Sequence, residues 1–139
     1  MSSSGREEIE VEGLAPAVSH YTHAVRFGDL LFVSGLVGLD ENLKVVSPDV
    51  VGQTRKIFDD LKLIMKQVGA DFSNVLKVTV YLTDVNDRTK INPVRQEYFG
   101  ATRPASTLIG IGALVFPELK VEIEAVVGIP GGAGAAHGR

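Results

Sequence analysis

The sequence predicts an α+β fold in which a mixed β-sheet carries two helices on one of its faces. Two periodicities and an element order support it. Along residues 120–127, Val121, Ile123 and Ala125 alternate with Lys120, Glu122 and Glu124, and a period of two sends the apolar residues to one face of a strand. Val50, Thr54, Ile57, Phe58, Leu61, Ile64, Met65 and Val68 recur at the spacing of an amphipathic helix. Segments of the two kinds follow one another as strand, strand, helix, strand, helix, strand, strand. Helices gathered on one side of such a sheet leave its other face bare.

In chain order, residues 1–14 read as an N-terminal tail, residues 15–129 as a single domain, and residues 130–139 as a glycine- and alanine-rich C-terminal tail. Strands are expected over 22–27 and 30–34, joined at Gly28-Asp29 by a tight hairpin turn. Ser47-Pro48 starts the long helix, with Ser47 as cap and Pro48 in the first turn, where its missing N–H costs nothing. Gly69 ends it. Residues 75–82 alternate again, with Leu76, Val78, Val80 and Leu82 on one face and Lys77, Thr79 and Tyr81 on the other. A second helix runs to about Phe99 and stops at Gly100. Pro93 lies within it, so a restart there is expected, with Asn92 as cap. The segments 103–109 and 120–127 complete the sheet.

A chain of 139 residues holds one domain with a core of its own and leaves no room for a second. Its 45% hydrophobic and 22% charged residues are those of a soluble globular protein. A net charge of -3 offers nucleic acid no basic surface, so none is expected as a partner. No apolar run approaches a membrane span, and the first residues lack the apolar stretch of a secretory signal, so a cytoplasmic location is expected. The absence of cysteine excludes disulfides, thiolate chemistry and Cys-ligated zinc. His20 and His23 have the spacing of half a metal site without a third ligand, and no metal is expected. Gly110-Ile111-Gly112 and the tail glycines do not lead from a strand into a helix, so no phosphate loop and no cofactor are expected.

The run Leu30-Leu31-Phe32-Val33 is apolar on both faces of its strand, and Leu108-Ile109 continues the habit. Something must cover the second face, and a partner subunit is the natural cover. Glu122 and Glu124 share that face. They are either solvated sheet charges or carboxylates at the margin of a covered surface, where proton affinities shift toward those of a general acid or base.

One set of residues, in one order, carries a resemblance: Tyr21, Val33-Ser34-Gly35, Gly69-Ala70-Asp71, residues 78–84, Asn86-Asp87, Asn92, Arg103-Pro104-Ala105 and Val121-Glu122-Ile123-Glu124-Ala125. Across residues 15–127 the chain resembles the Rid family of enamine/imine deaminases, also called YjgF-type proteins and once labelled endoribonuclease L-PSP. The resemblance implies a chorismate-mutase-like fold, a homotrimer whose sheets form a central barrel, and three clefts between neighbouring subunits. It implies an activity in which an enamine or imine loses ammonia to water.

By the same resemblance, Glu122 matches the family's water-activating carboxylate and Tyr21 the tyrosine at the cleft mouth. Ser34, Gly35 and Asn92 match residues that line or support the cleft. Each has a plainer reading, Tyr21 as a packed aromatic and Asn92 as a helix cap alone. Where well-known members hold the substrate carboxylate with an arginine, this chain has Ser106. A serine cannot replace a bidentate fork. The expected substrate is therefore an enamine or imine other than 2-aminoacrylate, of which an aminomuconate-like unsaturated amino acid is one, and it is larger, uncharged at that end, or held by His20, His23 or Arg103; the plainer reading of Arg103 is a surface charge at the sheet edge. The alternative is a regulatory or ligand-binding trimer without catalysis. A ribonuclease is the third reading, and the acidic balance opposes it.

Overall fold

The computed structural model describes residues 5–131 and has the expected α+β architecture. Its elements are β1 (Arg6–Ile9), β2 (Ala24–Phe27), β3 (Leu30–Val37), α1 (Val50–Lys66), β4 (Val75–Leu82), α2 (Arg88–Phe99), β5 (Ala105–Gly110) and β6 (Val121–Gly128). One six-stranded sheet runs in the order β1-β2-β3-β6-β4-β5. Among the described residues only β4 and β5 pair in parallel, as the crossover through α2 requires. The last strand of the chain is thus inserted between β3 and β4 at the middle of the sheet.

Local chemistry accounts for the elements. Gly28 takes a φ of 60° between the paired Phe27 and Leu30, which closes the two-residue hairpin at the position where only glycine is unstrained. In β6, Val121, Ile123, Ala125 and Val127 are buried while Glu122, Glu124 and Val126 face the other way. The core lies between the sheet and the helices, and Leu31, Val33, Val78, Val80 and Leu82 complete its sheet side. Gln53 on α1 is fully buried and fully used. Its amide nitrogen donates to the carbonyls of Ser47 (2.9 Å) and Glu118 (3.0 Å), and its oxygen accepts from the Lys120 N–H (2.8 Å), which ties α1 to the segment entering β6.

Four differences from the sequence reading have physical causes. Residues 6–9, assigned to a tail, form β1 and pair with β2; an edge strand exposed at Arg6, Glu7 and Glu8, with Ile9 alone packed against the core, has no alternation to betray it. Asp49, not Ser47, caps α1, its carboxylate accepting from the Gly52 N–H at 2.9 Å, because an anion serves the positive helix start better than a hydroxyl. Ser47 supports it, donating to Asp49 Oδ2 at 3.0 Å, and Pro48 lies before the helix. Asn92 caps nothing: α2 runs unbroken through Pro93, because the helix is started earlier by the turn Val85–Asp87, whose cap Asp84 accepts from the Asn86 N–H. Finally, the β4 register shifts between Val75 and Lys77, so Val75 turns inward and Leu76 is left 51% exposed on the outer face. Of the C-terminal tail, residues 132–139 lie outside the described residues.

The bare sheet face exposes Phe27 (56%), Phe32 (46%) and Leu30 (37%) besides Leu76. Opposite it, α1 and α2 are joined by Phe58, Phe72, Tyr98 and Phe99, with ring centroids 5.1 to 5.9 Å apart. Phe58, 1% exposed, touches the other three. Phe58→Ala is expected to cost about 3–5 kcal/mol of folding stability in a urea titration. A loss below about 1 kcal/mol would mean that the cluster collapses around the gap and does not hold the helices.

Candidate functional site

Alternation on β6 sends Glu122 to the face away from the core, in register with Tyr81 on β4 and Val37 on β3. Its neighbour is a break in β3. Between Val33 and Leu36 the β3–β6 register shifts, and Gly35 stands in the shifted stretch. The Glu122 side chain lies against Gly35 so closely that a Cβ there would stand 2.8 Å from its carboxyl carbon. Glycine at 35 is what allows the carboxylate to occupy this place.

This carboxylate lines a cavity of about 380 Å³ with Tyr21, His23, Ser34, Gly35 and Asp60. Burial pushes the proton affinity of Glu122 up, and repulsion from Glu124 adds to it. Glu124, exposed, is occupied by the Tyr81 hydroxyl at 3.0 Å, whereas Glu122 has no hydrogen-bond partner among the described residues. A half-buried, unpaired carboxyl group with raised proton affinity is suited to taking up and returning protons.

Tyr21 is 46% exposed at the cavity, and its hydroxyl oxygen accepts a long 3.4 Å bond from the Val18 N–H. The hydroxyl proton stays available to a ligand. Ser34 and His23 line the cavity but are committed to the backbone. Ser34 donates to the Thr22 carbonyl at 2.6 Å. His23 Nδ1 accepts from the Val11 N–H at 3.0 Å, so the ring proton sits on Nε2, which donates to the Ala15 carbonyl at 2.9 Å. Both ring nitrogens are used to hold the cavity-lining segment around Leu14, and His23 is not free to hold a ligand. His20 is exposed and lies outside the cavity.

Asn92, Arg103 and Ser106 line a separate cavity of about 600 Å³ between α2 and the start of β5. Ser106 is in register with Val78, whose side chain is buried under the helices. Ser106 therefore shares the helix side of the sheet, and Glu122 the other. One chain does not bring its two groups of candidate residues together.

Two residues in these cavities escaped the sequence reading. Asp60 has a nearly buried side chain in the first cavity, with Lys56 Nζ 3.1 Å from Oδ1 but outside hydrogen-bonding geometry. Burial pushes its proton affinity up against the opposing pull of Lys56. Its signal was legible: it falls three residues after Ile57 and four before Ile64, inside the apolar stripe of α1. The other is Arg95, on the same face of α2 as Asn92, whose Nη2 donates to Ser106 Oγ at 2.9 Å.

Known proteins share this sequence pattern and fold. Residues 12–129 match the family described as Endoribonuclease L-PSP. The chain is 35% identical over 127 residues to 2-iminobutanoate/2-iminopropanoate deaminase of Mus musculus, covering 91% of this chain and 93% of that one. It is 35% identical over 122 residues to 3-aminoacrylate deaminase RutC of Acinetobacter baylyi, covering 87% and 96%. Among solved structures, RidA from an Antarctic Psychrobacter superposes with a TM-score of 0.83 at 28% identity, over 88% of this chain and 99% of that one. With the shared fold and a family match over residues 12–129, the chain belongs to the endoribonuclease L-PSP family of RidA- and RutC-like proteins.

Proposed function

We propose that this protein hydrolyses an enamine or imine to a carbonyl compound and ammonia. The observation that carries the reading is Glu122: an unpaired, half-buried carboxyl group of raised proton affinity, in a cavity beside the Tyr21 hydroxyl. Two relatives named as deaminases of an imino acid and of an aminoacrylate support it. The substrate class includes unsaturated amino acids of the aminomuconate type, which carry a second carboxylate remote from the enamine.

In the proposed reaction, an enamine first takes a proton on carbon to become an iminium ion. Glu122 removes a proton from water as the oxygen attacks the iminium carbon, and a carbinolamine forms. Tyr21 donates to the developing carbinolamine. Glu122 then returns its proton to the nitrogen, the C–N bond breaks with its electron pair leaving on ammonia, and the carbinolamine oxygen becomes the carbonyl oxygen as its hydroxyl proton passes to solvent, replacing the proton first taken up on carbon. No redox partner is consumed. Only small-molecule chemistry is asked of the cavity, and an overall charge of -3 gives an RNA backbone little to bind.

We further propose that the working unit is a homotrimer. Phe27, Leu30, Phe32 and Leu76 form an exposed apolar surface on the bare sheet face, which three sheets turned inward would cover. The two cavities lie on opposite sides of one sheet, so their residues converge on one substrate only across a subunit boundary. Among the described residues no helix is long and apolar enough to cross a membrane, and a cytoplasmic site of action remains part of the proposal.

Glu122→Gln should lower ammonia release from any accepted imine by about 10²–10⁴-fold, the contribution of a positioned general base. Wild-type turnover should rise with pH through a midpoint above the ordinary glutamate value of 4.5, and Glu122→Gln should lose that limb. Equal turnover in the two proteins removes the mechanism.

Stability carries the same group with a defined sign. With its proton affinity raised by folding, Glu122 makes the native state bind more protons than the unfolded chain above pH 4.5, so stability falls as pH rises through the folded value. Glu122→Gln should therefore unfold at a higher temperature than wild type at pH 7, and the difference should vanish below pH 4.5. Calorimetry at the two pH values checks it. Sedimentation at micromolar concentration should give a trimer that Phe32→Glu dissociates, and a stable wild-type monomer would remove the shared cleft.

A further inference from the structure

We propose that Asp60, on α1, is a second catalytic residue of the Glu122 cavity: the acid that gives the enamine carbon its proton before water attacks. The inference rests on the proposed deaminase reading and supplies the donor that its first step needs.

The place of Asp60 points to it. Three polar side chains of α1 are buried: Gln53, Thr54 and Asp60. Gln53 is bonded to backbone at both ends of its amide, and Thr54 donates to the Val50 carbonyl at 2.7 Å. Asp60, its side chain 4% exposed, has Oδ1 sealed from water without a hydrogen bond, and it alone of the three lines the cavity. A carboxyl group so placed costs stability that an apolar residue in the same stripe would not. The remaining walls leave a ligand few other groups. Leu14, Leu36, Leu39 and Val115 are apolar, and the side-chain polar atoms of His23 and Ser34 are spent on the backbone. Tyr21, Glu122 and Asp60 are what remains for chemistry.

Two carboxyl groups in one cavity divide acid and base work when their surroundings hold their proton affinities apart. Glu122 takes a proton from water and so begins as the carboxylate, with none to give to carbon. Asp60 is the more deeply buried of the two. Burial pushes its proton affinity up, against the pull of the Lys56 ammonium; Asp59 adds to the rise, and the His23 ring opposes it. In the proposed step the Asp60 O–H bond breaks as the enamine C=C pair takes its proton to form a C–H bond. The nitrogen lone pair closes the C=N bond of the iminium ion, and the negative charge left on Asp60 faces that cation. Glu122 and Tyr21 then carry the hydrolysis, and Asp60 regains a proton from solvent when the product leaves. Nothing is oxidised or reduced. A fixed acid adds its proton to one face of the planar carbon, whereas solvent adds to both.

The test feeds 2-aminocrotonate, made in situ from threonine by a dehydratase, to the full chain in heavy water. The 2-oxobutanoate formed is reduced at once to fix its new C–D centre, whose configuration is read by NMR. Wild type should give one configuration in at least about tenfold excess over the other, where the mixture without this protein gives both. Asp60→Asn, close in size, should bring the two near equality. Lys56→Gln removes the cation that holds the Asp60 proton affinity down; it should keep the configuration and move the alkaline fall of enamine turnover to higher pH. A single configuration that survives Asp60→Asn gives the step to Glu122 and overturns the proposal. The wild-type configuration and the Lys56→Gln shift are read without that variant, and the absence of either overturns it too. A wild type that leaves ammonia release at the background rate fails the deaminase reading, whereas accelerated release with both configurations fails only the assignment of Asp60.

Discussion

The structure depends on where its last strand goes. β6 is inserted between β3 and β4, the centre of the sheet, and must satisfy a hydrogen-bond ladder on both edges while burying Val121, Ile123, Ala125 and Val127 beneath the helices. A register slip by one residue would bring Glu122 and Glu124 into the core and expose all four apolar residues. Burial of the one set fixes the orientation of the other. The candidate catalytic carboxylate is held where it is by the packing of its neighbours, and β3 accommodates it with a register shift and a glycine.

Polar groups inside the fold divide by what they do. Gln53 and His23 are buried with their hydrogen-bonding atoms satisfied by backbone, and such groups specify one arrangement of loops around a core. Glu122 and Asp60 are not satisfied in that way. Burial raises the proton affinity of both, and both line the same cavity. Folding tolerates these penalties because the rest of the core is apolar, with Ile57, Ile64, Val80 and Leu82 fully excluded from water. Two carboxyl groups raised in proton affinity by burial in one cavity, Glu122 without a hydrogen-bond partner and Asp60 opposed chiefly by Lys56, mark a candidate site for chemistry.

Sidedness explains why a single chain looks incomplete. The sheet separates Glu122, facing outward with Tyr81, from Ser106, facing the helices with Val78. The outer face at once exposes Phe27, Leu30, Phe32 and Leu76 and bears the candidate base. Under the proposed assembly, the same contact that hides Phe27, Phe32 and Leu76 would bring one subunit's carboxylate toward another's arginine cavity. Assembly and catalysis would then share one surface.

The sequence by itself determined the α+β class, the hairpin at Gly28-Asp29, the long helix and the inward set of β6, because each follows from a short-range period or from one glycine's backbone freedom. It also singled out Tyr21, Ser34, Gly35 and Glu122, which fold into one cavity. Only the tertiary structure decided the rest. A charged edge strand such as β1 has no period to read, and the extra residue at Leu76 appears only when β4 is paired with β6. Whether a histidine is a ligand or a brace depends on which carbonyls surround it, and His23 is a brace. Arg95 acquires its meaning from Ser106, eleven residues away and on another element, because a hydrogen bond between a helix and a strand is written in their packing and not in the local order of either.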